Sequence, residues 1–183
     1  PARICLTLLA LAALAGCGPK FVRERVYDKP NMRVELRHQK SGDAPVARGY
    51  SHPATIADVR IAHILASLSY EDDEGNRKPA IRAQFVYELG DAISAALAKA
   101  GPDDEVAAAV FPEDRRLQIF TDTRVTAFRL FVQGEQMRVD FYAVEQALDP
   151  DARRAGTREY EIPTALPTLE PRFKLSVGQA QRK

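Results

Sequence analysis

The stretch VTAFRLFV at residues 125–132, followed by QGEQ and then by MRVDFYAV at residues 137–144, decides the fold. Both segments are rich in β-branched and aromatic residues, which favours strands. If Gly134 and Glu135 form a two-residue hairpin loop, three apolar pairs share one face and one ionic pair lies on the other. These pairs are Val132 with Met137, Leu130 with Val139, Phe128 with Phe141, and Arg129 with Asp140. A shift by one residue would scatter them over both faces, so the sequence predicts this antiparallel register.

A second hairpin is predicted nearer the start of the chain. The alternating segments FVRERVYD (residues 21–28) and MRVELRH (residues 32–38) flank KPN, which is typical of a turn. We expect this hairpin to be exposed on one face. The favourable ionic pairs that it predicts are Asp28 with Arg33 and Glu24 with Arg37.

A first helix is predicted after residue 55. Thr55 followed by Asp58 resembles a variant of the capping box that begins many helices. An apolar stripe then recurs at helical spacing, with His63 on the opposite, outward side. The residues of this stripe are Ile61, Ile64, Leu65 and Leu68. Residues 71–78 (EDDEGNRK) are expected to form a polar loop.

Residues 81–100 are ambiguous, because their apolar residues fit both a strand and a helix. The alanine content and the Gly101-Pro102 stop favour the helix. Gly90 inside this helix costs ~1 kcal/mol relative to alanine. A helix that begins only at Asp91 therefore remains the alternative.

The remaining segments complete the prediction of the fold. Residues 105–111 and 117–121 read as short strands, and three prolines mark an extended connector to a last strand at residues 173–177. These prolines are Pro163, Pro167 and Pro171. We expect a single α+β domain over residues 21–183, with a mostly antiparallel sheet and two amphipathic helices packed on one face.

The charge balance excludes one class of partner. The chain has 26 Lys and Arg residues against 25 Asp and Glu residues, a formal net charge of +1. A nucleic-acid-binding protein uses a concentrated basic surface to displace counterions. No such stripe is visible, so no nucleic-acid partner is expected.

The first residues have the pattern of an export signal. Arg3 precedes the apolar run ICLTLLALAAL at residues 4–14, and the small residues Ala15 and Gly16 follow it. A helix that crosses a bilayer needs about 20 apolar residues. This run is too short to be a permanent span.

The four residues Leu14-Ala15-Gly16-Cys17 resemble the lipobox of bacterial lipoproteins. The resemblance implies a signal peptide at residues 1–16, a diacylglycerol joined to Cys17 by a thioether, acylation of its amine, and a lipidated tether at residues 17–20. Membrane lipid, held through Cys17, is then the first expected partner. In that family Asp after the cysteine favours the inner membrane, whereas this chain has Gly18, which favours the periplasmic face of the outer membrane in a diderm bacterium.

An ordinary signal peptidase site is the alternative. Ala13-Leu14-Ala15 fits the A-x-A pattern, and cleavage there would release a chain that begins at Gly16. That product would carry Cys17 as a single unpaired thiol, which is unusual in an exported protein. Because Cys5 leaves with the signal in either case, lipidation of Cys17 would leave the domain without thiols, disulfides or thiolate zinc sites.

Catalytic motifs are missing from the sequence. The histidines His38, His52 and His63 do not have the spacing of a helical metal pair, and neither G-x-S-x-G nor S-x-x-K occurs. The Walker and Rossmann glycine patterns are missing as well. We therefore assign no catalytic, metal-binding or cofactor-binding residue from the sequence.

The order of segments from His52 to about Val144 resembles a group of uncharacterised proteobacterial envelope lipoproteins. This resemblance brings no assigned function. The expected function is that of a membrane-anchored, periplasm-facing lipoprotein, a non-catalytic interaction or assembly partner of an unidentified envelope protein.

Two other classes of function remain open. One is a carboxylate-based hydrolase of cell-wall glycans, for which acidic residues in predicted loops are the candidates. These are Asp103, Asp104, Glu113, Asp114 and Asp122. The other is a module that binds a small ligand in a cleft beside the hairpin at residues 128–144.

The lipobox makes a prediction about the mature N-terminus. Mass spectrometry of the protein purified from its host should find Cys17 as the first residue, with the added mass of the diacylglycerol and the amide-linked chain. An unmodified N-terminus at Gly16 would contradict lipidation.

Overall fold

The computed structural model describes residues 20–116, 120–148, 156–166 and 174–176. It confirms an α+β fold with a mostly antiparallel sheet and two helices. The helices are α1 (Asp58–Ser67) and α2 (Ala83–Lys99). The strands are β1 (Lys20–Lys29), β2 (Met32–Ser41), β3 (Ala44–Pro45), β4 (Ser69–Glu71), β5 (Arg77–Pro79), β6 (Glu105–Val110), β7 (Glu113–Arg116), β8 (Phe120–Gln133), β9 (Gln136–Ala147) and β10 (Lys174–Ser176). Cys17 and the proposed signal peptide lie outside the described residues.

The main sheet has the order β1-β2-β6-β8, with β9 on the other edge of β8 and β3 beside the end of β2. Strand β7 continues β6 along β8, because the facing pairs stay in step from Val110–Thr126 to Glu113–Thr123. Pro112, which has no N–H to donate, interrupts the ladder between them. The predicted strand at residues 117–121 is described only in part, as the start of β8.

The β8–β9 hairpin has the predicted register. All four facing pairs derived from the two-residue loop are present, including Phe128 with Phe141 and Arg129 with Asp140. Gly134 takes a φ of 61°, the left-handed conformation that the first position of such a loop requires. The loop length and the apolar pattern therefore determine this register.

The β1–β2 hairpin has the predicted register only near its turn. Asp28 faces Arg33, as predicted, but the pairing of Glu24 with Arg37 is wrong, because Glu24 faces Leu36. The register shifts between Arg25 and Tyr27. An extra residue in one strand moves every later pair by one position, which explains the error.

Strand β2 is buried on both faces over residues 32–37, so the expectation that this hairpin is exposed on one face is wrong for β2. Its apolar residues Met32, Val34 and Leu36 join a large hydrophobic cluster. The alternate residues on the other face are charged and are also buried. They are Arg33, Glu35 and Arg37.

Two hydrophobic clusters divide the core. The larger contains the buried residues of both helices together with Val106, Ala108 and Val110 of β6. The smaller contains Ala107 and Ala109 of the same strand, and residues farther along the chain. These are Phe111, Val125, Ala127, Tyr142, Ala143, Leu148 and Ile162. Because neighbouring side chains of β6 alternate between the clusters, both faces of this strand are covered.

Helix α1 begins later than the capping box predicts. Its N-cap is Ala57, which makes no side-chain hydrogen bond, so the assignment of Thr55 as a cap is wrong. The segment before the helix is instead tied to α2: the Ala54 N–H donates to the Leu97 carbonyl at 2.9 Å, and the Ser94 hydroxyl donates to the Ile56 carbonyl at 2.7 Å. These bonds hold Thr55 away from the helix start. His63 is exposed, as predicted.

Helix α2 covers Ala83–Lys99, which confirms the helix and excludes the alternative start at Asp91. Gly90 lies against α1. A Cβ at this position would lie 2.8 Å from the Asp58 carbonyl oxygen and 3.0 Å from the Ala62 Cβ. The glycine therefore permits the close approach of the two helices, which offsets its cost in helix propensity.

A small second sheet has the order β10-β4-β5. The predicted polar loop is thus the turn of the β4–β5 hairpin, in which the Asp72 carboxylate accepts bonds from the N–H groups of Glu74 and Asn76. The described part of the predicted last strand is β10, which pairs with β4. Of the three connector prolines, Pro163 lies among the described residues.

Substitution Gly90→Ala tests the helix contact. We expect the free energy of unfolding in urea to fall by about 1–2 kcal/mol, because the overpacking penalty exceeds the gain of ~1 kcal/mol in helix propensity. Ala95→Gly, at an exposed position of the same helix, is the matched control and should cost ~1 kcal/mol through propensity alone. A Gly90→Ala variant more stable than the wild type would show that the approach is not tight.

Candidate functional site

Arg33 on β2 holds the C-terminal segment, which we define as residues 156–166. Its side chain is only 3% exposed. The guanidinium donates to the carbonyls of Tyr160 at 2.6 Å, Arg158 at 2.8 Å and Thr157 at 3.2 Å, and to the Asp28 carboxylate at 3.2 Å. These acceptors compensate the loss of water around the buried charge.

Arg37 holds the same segment farther along. It is 0% exposed, and it donates to Glu105 Oε1 at 2.6 Å, to the Pro163 carbonyl at 2.7 Å and to the Ile162 carbonyl at 3.2 Å. The Tyr142 hydroxyl accepts a further bond from it. Together Arg33 and Arg37 fix the C-terminal segment against the sheet.

Glu35 lies between these two arginines on the same face of β2. It is 4% exposed, and its Oε1 atom has no hydrogen-bond partner within the described chain. The nearest cation is Arg23 on β1, whose Nε lies 3.6 Å from Oε1. Burial raises the pKa of Glu35, and the surrounding arginines oppose that shift.

A cleft of about 400 Å³ opens beside Glu35. Its walls are Arg23 and Arg25 of β1, Arg33 and Glu35 of β2, and residues 158–162 of the C-terminal segment. We call it the arginine cleft. Its position differs from the sequence-based expectation of a cleft beside the hairpin at residues 128–144.

The arginines of this cleft fall into two groups. Arg33 is saturated by backbone carbonyls, and Arg23 contacts Glu35 and, at 3.1 Å, Glu161. Arg25 bonds to Asp28 through a single nitrogen at 2.9 Å, and within the described chain the Arg158 side chain has no ionic partner. Arg25 and Arg158 therefore keep donors that an anion can use.

The three histidines do not form one site. His38 Nδ1 lies 2.9 Å from Asp104 Oδ1, and His63 is exposed. His52 is buried, and its Nε2 accepts a bond from the Val132 N–H at 3.0 Å. Burial lowers the pKa of His52. Over the part of the chain that the structure describes, no group of three or more His, Cys, Asp or Glu side chains is placed to hold a metal ion.

The acidic candidates are also dispersed. Asp103 and Asp104 lie in a loop, as predicted, where Asp103 accepts the Arg48 N–H and Asp104 accepts the Gly101 N–H. The loop assignment is wrong for the others, because β7 and β8 continue the sheet beyond its predicted end. They are Glu113 and Asp114 in β7, and Asp122 in β8.

Asp114 belongs to an ionic cluster at the start of α2. Arg82, the N-cap residue, donates to both oxygens of Asp114 at 2.6 and 2.8 Å and to both oxygens of Glu145 at 2.9 and 2.6 Å. These bonds raise the pKa of Arg82 and keep it charged. Glu145 has a positive φ of 46° at an irregularity of β9. The cluster joins the start of α2 to β7 and β9 of the sheet.

The residues that build the arginine cleft were not identified from the sequence. Alternating charges at residues 33, 35 and 37 are typical of a strand face in contact with water. Their main acceptors are backbone carbonyls of the C-terminal segment, and a carbonyl has no sequence signature. The one available signal is that Glu35 lies between two arginines on the same strand face.

Glu35 and Glu88 are expected to have opposite effects on how the free energy of unfolding depends on pH. A carboxyl group whose pKa is raised by folding lowers stability above its unfolded pKa, so Glu35→Gln should increase the free energy of unfolding at neutral pH. Hydrogen bonds from Lys29 and Tyr27 lower the pKa of Glu88, so Glu88→Gln should decrease it. The difference for Glu35→Gln should vanish as the pH falls to about 4.3, the unfolded pKa of glutamate, whereas the difference for Glu88→Gln should begin to shrink there and vanish only below the lowered folded pKa of Glu88. Urea unfolding across this range measures them, and a pH-independent difference for Glu35→Gln would contradict the assignment.

The functional proposal rests on the geometry of the arginine cleft, because comparison with known proteins gives no match. No protein family, curated protein or solved structure matches the chain. In the residues that the structure describes, no helix has the length and apolar character needed to cross a membrane.

Proposed function

We propose that this protein is a membrane-anchored, periplasm-facing envelope lipoprotein that acts as a non-catalytic binding partner, with the arginine cleft as its binding face. The observation that carries the proposal is the cleft itself, in which Arg25 and Arg158 keep donors that no described residue engages, beside the buried Glu35. In this arrangement both amphipathic helices pack on one face of the sheet. The cleft lies on the other face, because Arg33 and Glu35 alternate with the apolar residues that contact the helices.

The position of β1 relative to the tether supports this proposal. Only Gly18 and Pro19 separate Cys17 from Lys20, the first residue of β1. At about 3.5 Å per residue, this tether spans on the order of 10 Å. A lipid on Cys17 would keep β1 and its arginines close to the headgroups. Several acyl chains on one residue suffice for stable attachment, and Gly18 favours the outer membrane in a diderm host.

The contacts of Arg23 favour binding over catalysis. In most glycosidases two carboxyl groups flank the bond to be cleaved, with space between them for substrate or water. Here Arg23 contacts both Glu35, at 3.6 Å, and Glu161, at 3.1 Å. The two carboxylates are therefore bridged by one guanidinium group rather than paired across an open gap.

The outer edge of the sheet favours recognition by side chains rather than by strand addition. Within the described residues β1 pairs with β2 alone, so its other edge is open. A register shift interrupts this strand, which also contains several cationic residues. These include Lys20, Arg23, Arg25 and Lys29. Charged residues and irregularities are common protections against edge-to-edge pairing.

A glycan hydrolase is the second candidate. The observation in its favour is Glu35, a buried carboxyl group with a raised pKa that lines a cleft, as a general acid would. Release of soluble fragments from purified cell wall, lost in Glu35→Gln, would establish this function and replace the binding proposal.

Cross-linked pull-downs from membranes test the leading proposal. Cys17→Ser should leave the membrane fraction, whereas Arg158→Gln should stay in it and lose the cross-linked partner that the wild type retains. Arg60→Gln, an exposed arginine on α1 outside the cleft, is the matched control and should behave as the wild type.

Two outcomes would contradict this proposal. If Cys17→Ser still fractionates with membranes and detergent releases it, lipid is not the tether. If Arg158→Gln and Arg60→Gln capture the same partners as the wild type, Arg158 does not contribute to the binding face.

A further inference from the structure

We propose that the arginine cleft binds a polyol phosphate, with the phosphate on Arg25 and Arg158 and a hydroxyl group on Glu35. This inference rests on the proposed function, because it names the chemistry of the group bound at the same face. The polyol phosphate can be a free molecule or the glycerophosphate headgroup of an anionic lipid.

The phosphate position follows from the unused donors of two guanidinium groups. Arg25 is half exposed and bonds to Asp28 through one nitrogen, and no other described residue engages its remaining N–H groups. Arg158 is exposed, but Arg33 holds its carbonyl at 2.8 Å and so fixes its backbone at the cleft wall. Planar guanidinium groups bind phosphate oxygens in pairs, and both of these arginines line the same cleft.

The hydroxyl position follows from Glu35. Its Oε1 atom is shielded from water and receives no hydrogen bond within the described chain, and such an unsatisfied oxygen costs free energy. A donor from a ligand that displaces the Arg23 guanidinium, whose Nε lies 3.6 Å from Oε1, would satisfy it. The cations around it, Arg23, Arg25, Arg33 and Arg37, would repel an ammonium group. A neutral hydroxyl group is therefore the complementary donor.

The size of the cleft agrees with a small ligand of this kind. Its volume of about 400 Å³ lies toward the lower end of the range for small-molecule sites, about 300–1,000 Å³. Arg33 and Arg37 are committed to the C-terminal segment and hold the wall in place. This wall of the site is therefore preformed, which lowers the cost of binding.

Isothermal titration calorimetry of the full chain in a non-ionic detergent tests the inference. The probes are glycerol 3-phosphate, inorganic phosphate and glycerol. We expect glycerol 3-phosphate to bind at least about ten-fold more tightly than inorganic phosphate, because the hydroxyl group reaches Glu35, and glycerol alone not to bind. Absence of saturable binding of glycerol 3-phosphate to the wild type would overturn the proposal.

Three variants separate the two contacts. Arg158→Gln should lower the affinity for both phosphate compounds at least about ten-fold, because one charge-assisted contact is lost. Glu35→Met removes the acceptor and keeps a side chain of similar length. This variant should lose the preference for glycerol 3-phosphate but keep its affinity for inorganic phosphate. Arg60→Gln should change neither. Equal affinity in wild type and Arg158→Gln would overturn the phosphate site, whatever the folding of Glu35→Met.

A lipid arm identifies the source of the ligand. The full chain is placed in nanodiscs of phosphatidylcholine with or without phosphatidylglycerol, and soluble glycerol 3-phosphate is titrated. A weaker apparent affinity with phosphatidylglycerol supports the lipid headgroup as the occupant, and an unchanged affinity supports a free polyol phosphate. If no phosphate compound binds while Arg158→Gln still loses a protein partner, this inference fails and the proposed function stands.

Discussion

Two buried guanidinium groups need hydrogen-bond acceptors in place of water, and the rest of this structure depends on that requirement. Arg33 and Arg37 are 3% and 0% exposed on a strand that is buried on both faces. An unpaired buried charge is far more costly than a buried apolar side chain. The C-terminal segment supplies most of the acceptors through its backbone carbonyls, so the sheet and this distant segment form one unit.

The same arrangement distinguishes arginines that bind the C-terminal segment from arginines whose side chains face the cleft. Arg33 and Arg37 bind five carbonyls of the C-terminal segment, those of residues 157, 158, 160, 162 and 163, whereas the Arg158 side chain is outside this network. Glu35, placed between Arg33 and Arg37, is buried together with them, and among the described residues no donor reaches its Oε1. The arginine cleft thus results from how the charged face of β2 is covered, and within that part of the chain it places unengaged donors beside an unengaged acceptor.

Much of the fold follows from local patterns, and the errors have physical causes. The β8–β9 register was predictable because a two-residue loop and three apolar pairs allow one solution. In β1–β2 the same reasoning succeeds at Asp28 and fails at Glu24, because a register shift has no clear signature in the sequence. The cleft could not be predicted, since the charges of β2 resemble a solvated face until the C-terminal segment covers them. Thr55 failed as a cap because tertiary bonds to α2 set the start of α1.

The long separation between partners has a consequence for the order of folding. Arg33 and the Tyr160 carbonyl that it binds are 127 residues apart in the sequence. Strand β4 likewise pairs with β10, which comes much later in the chain. A polypeptide emerges from the ribosome with its N-terminus first. The charged face of β2 must therefore stay hydrated until residues 157–163 have been made, so closure over this face comes well after synthesis of the strand itself.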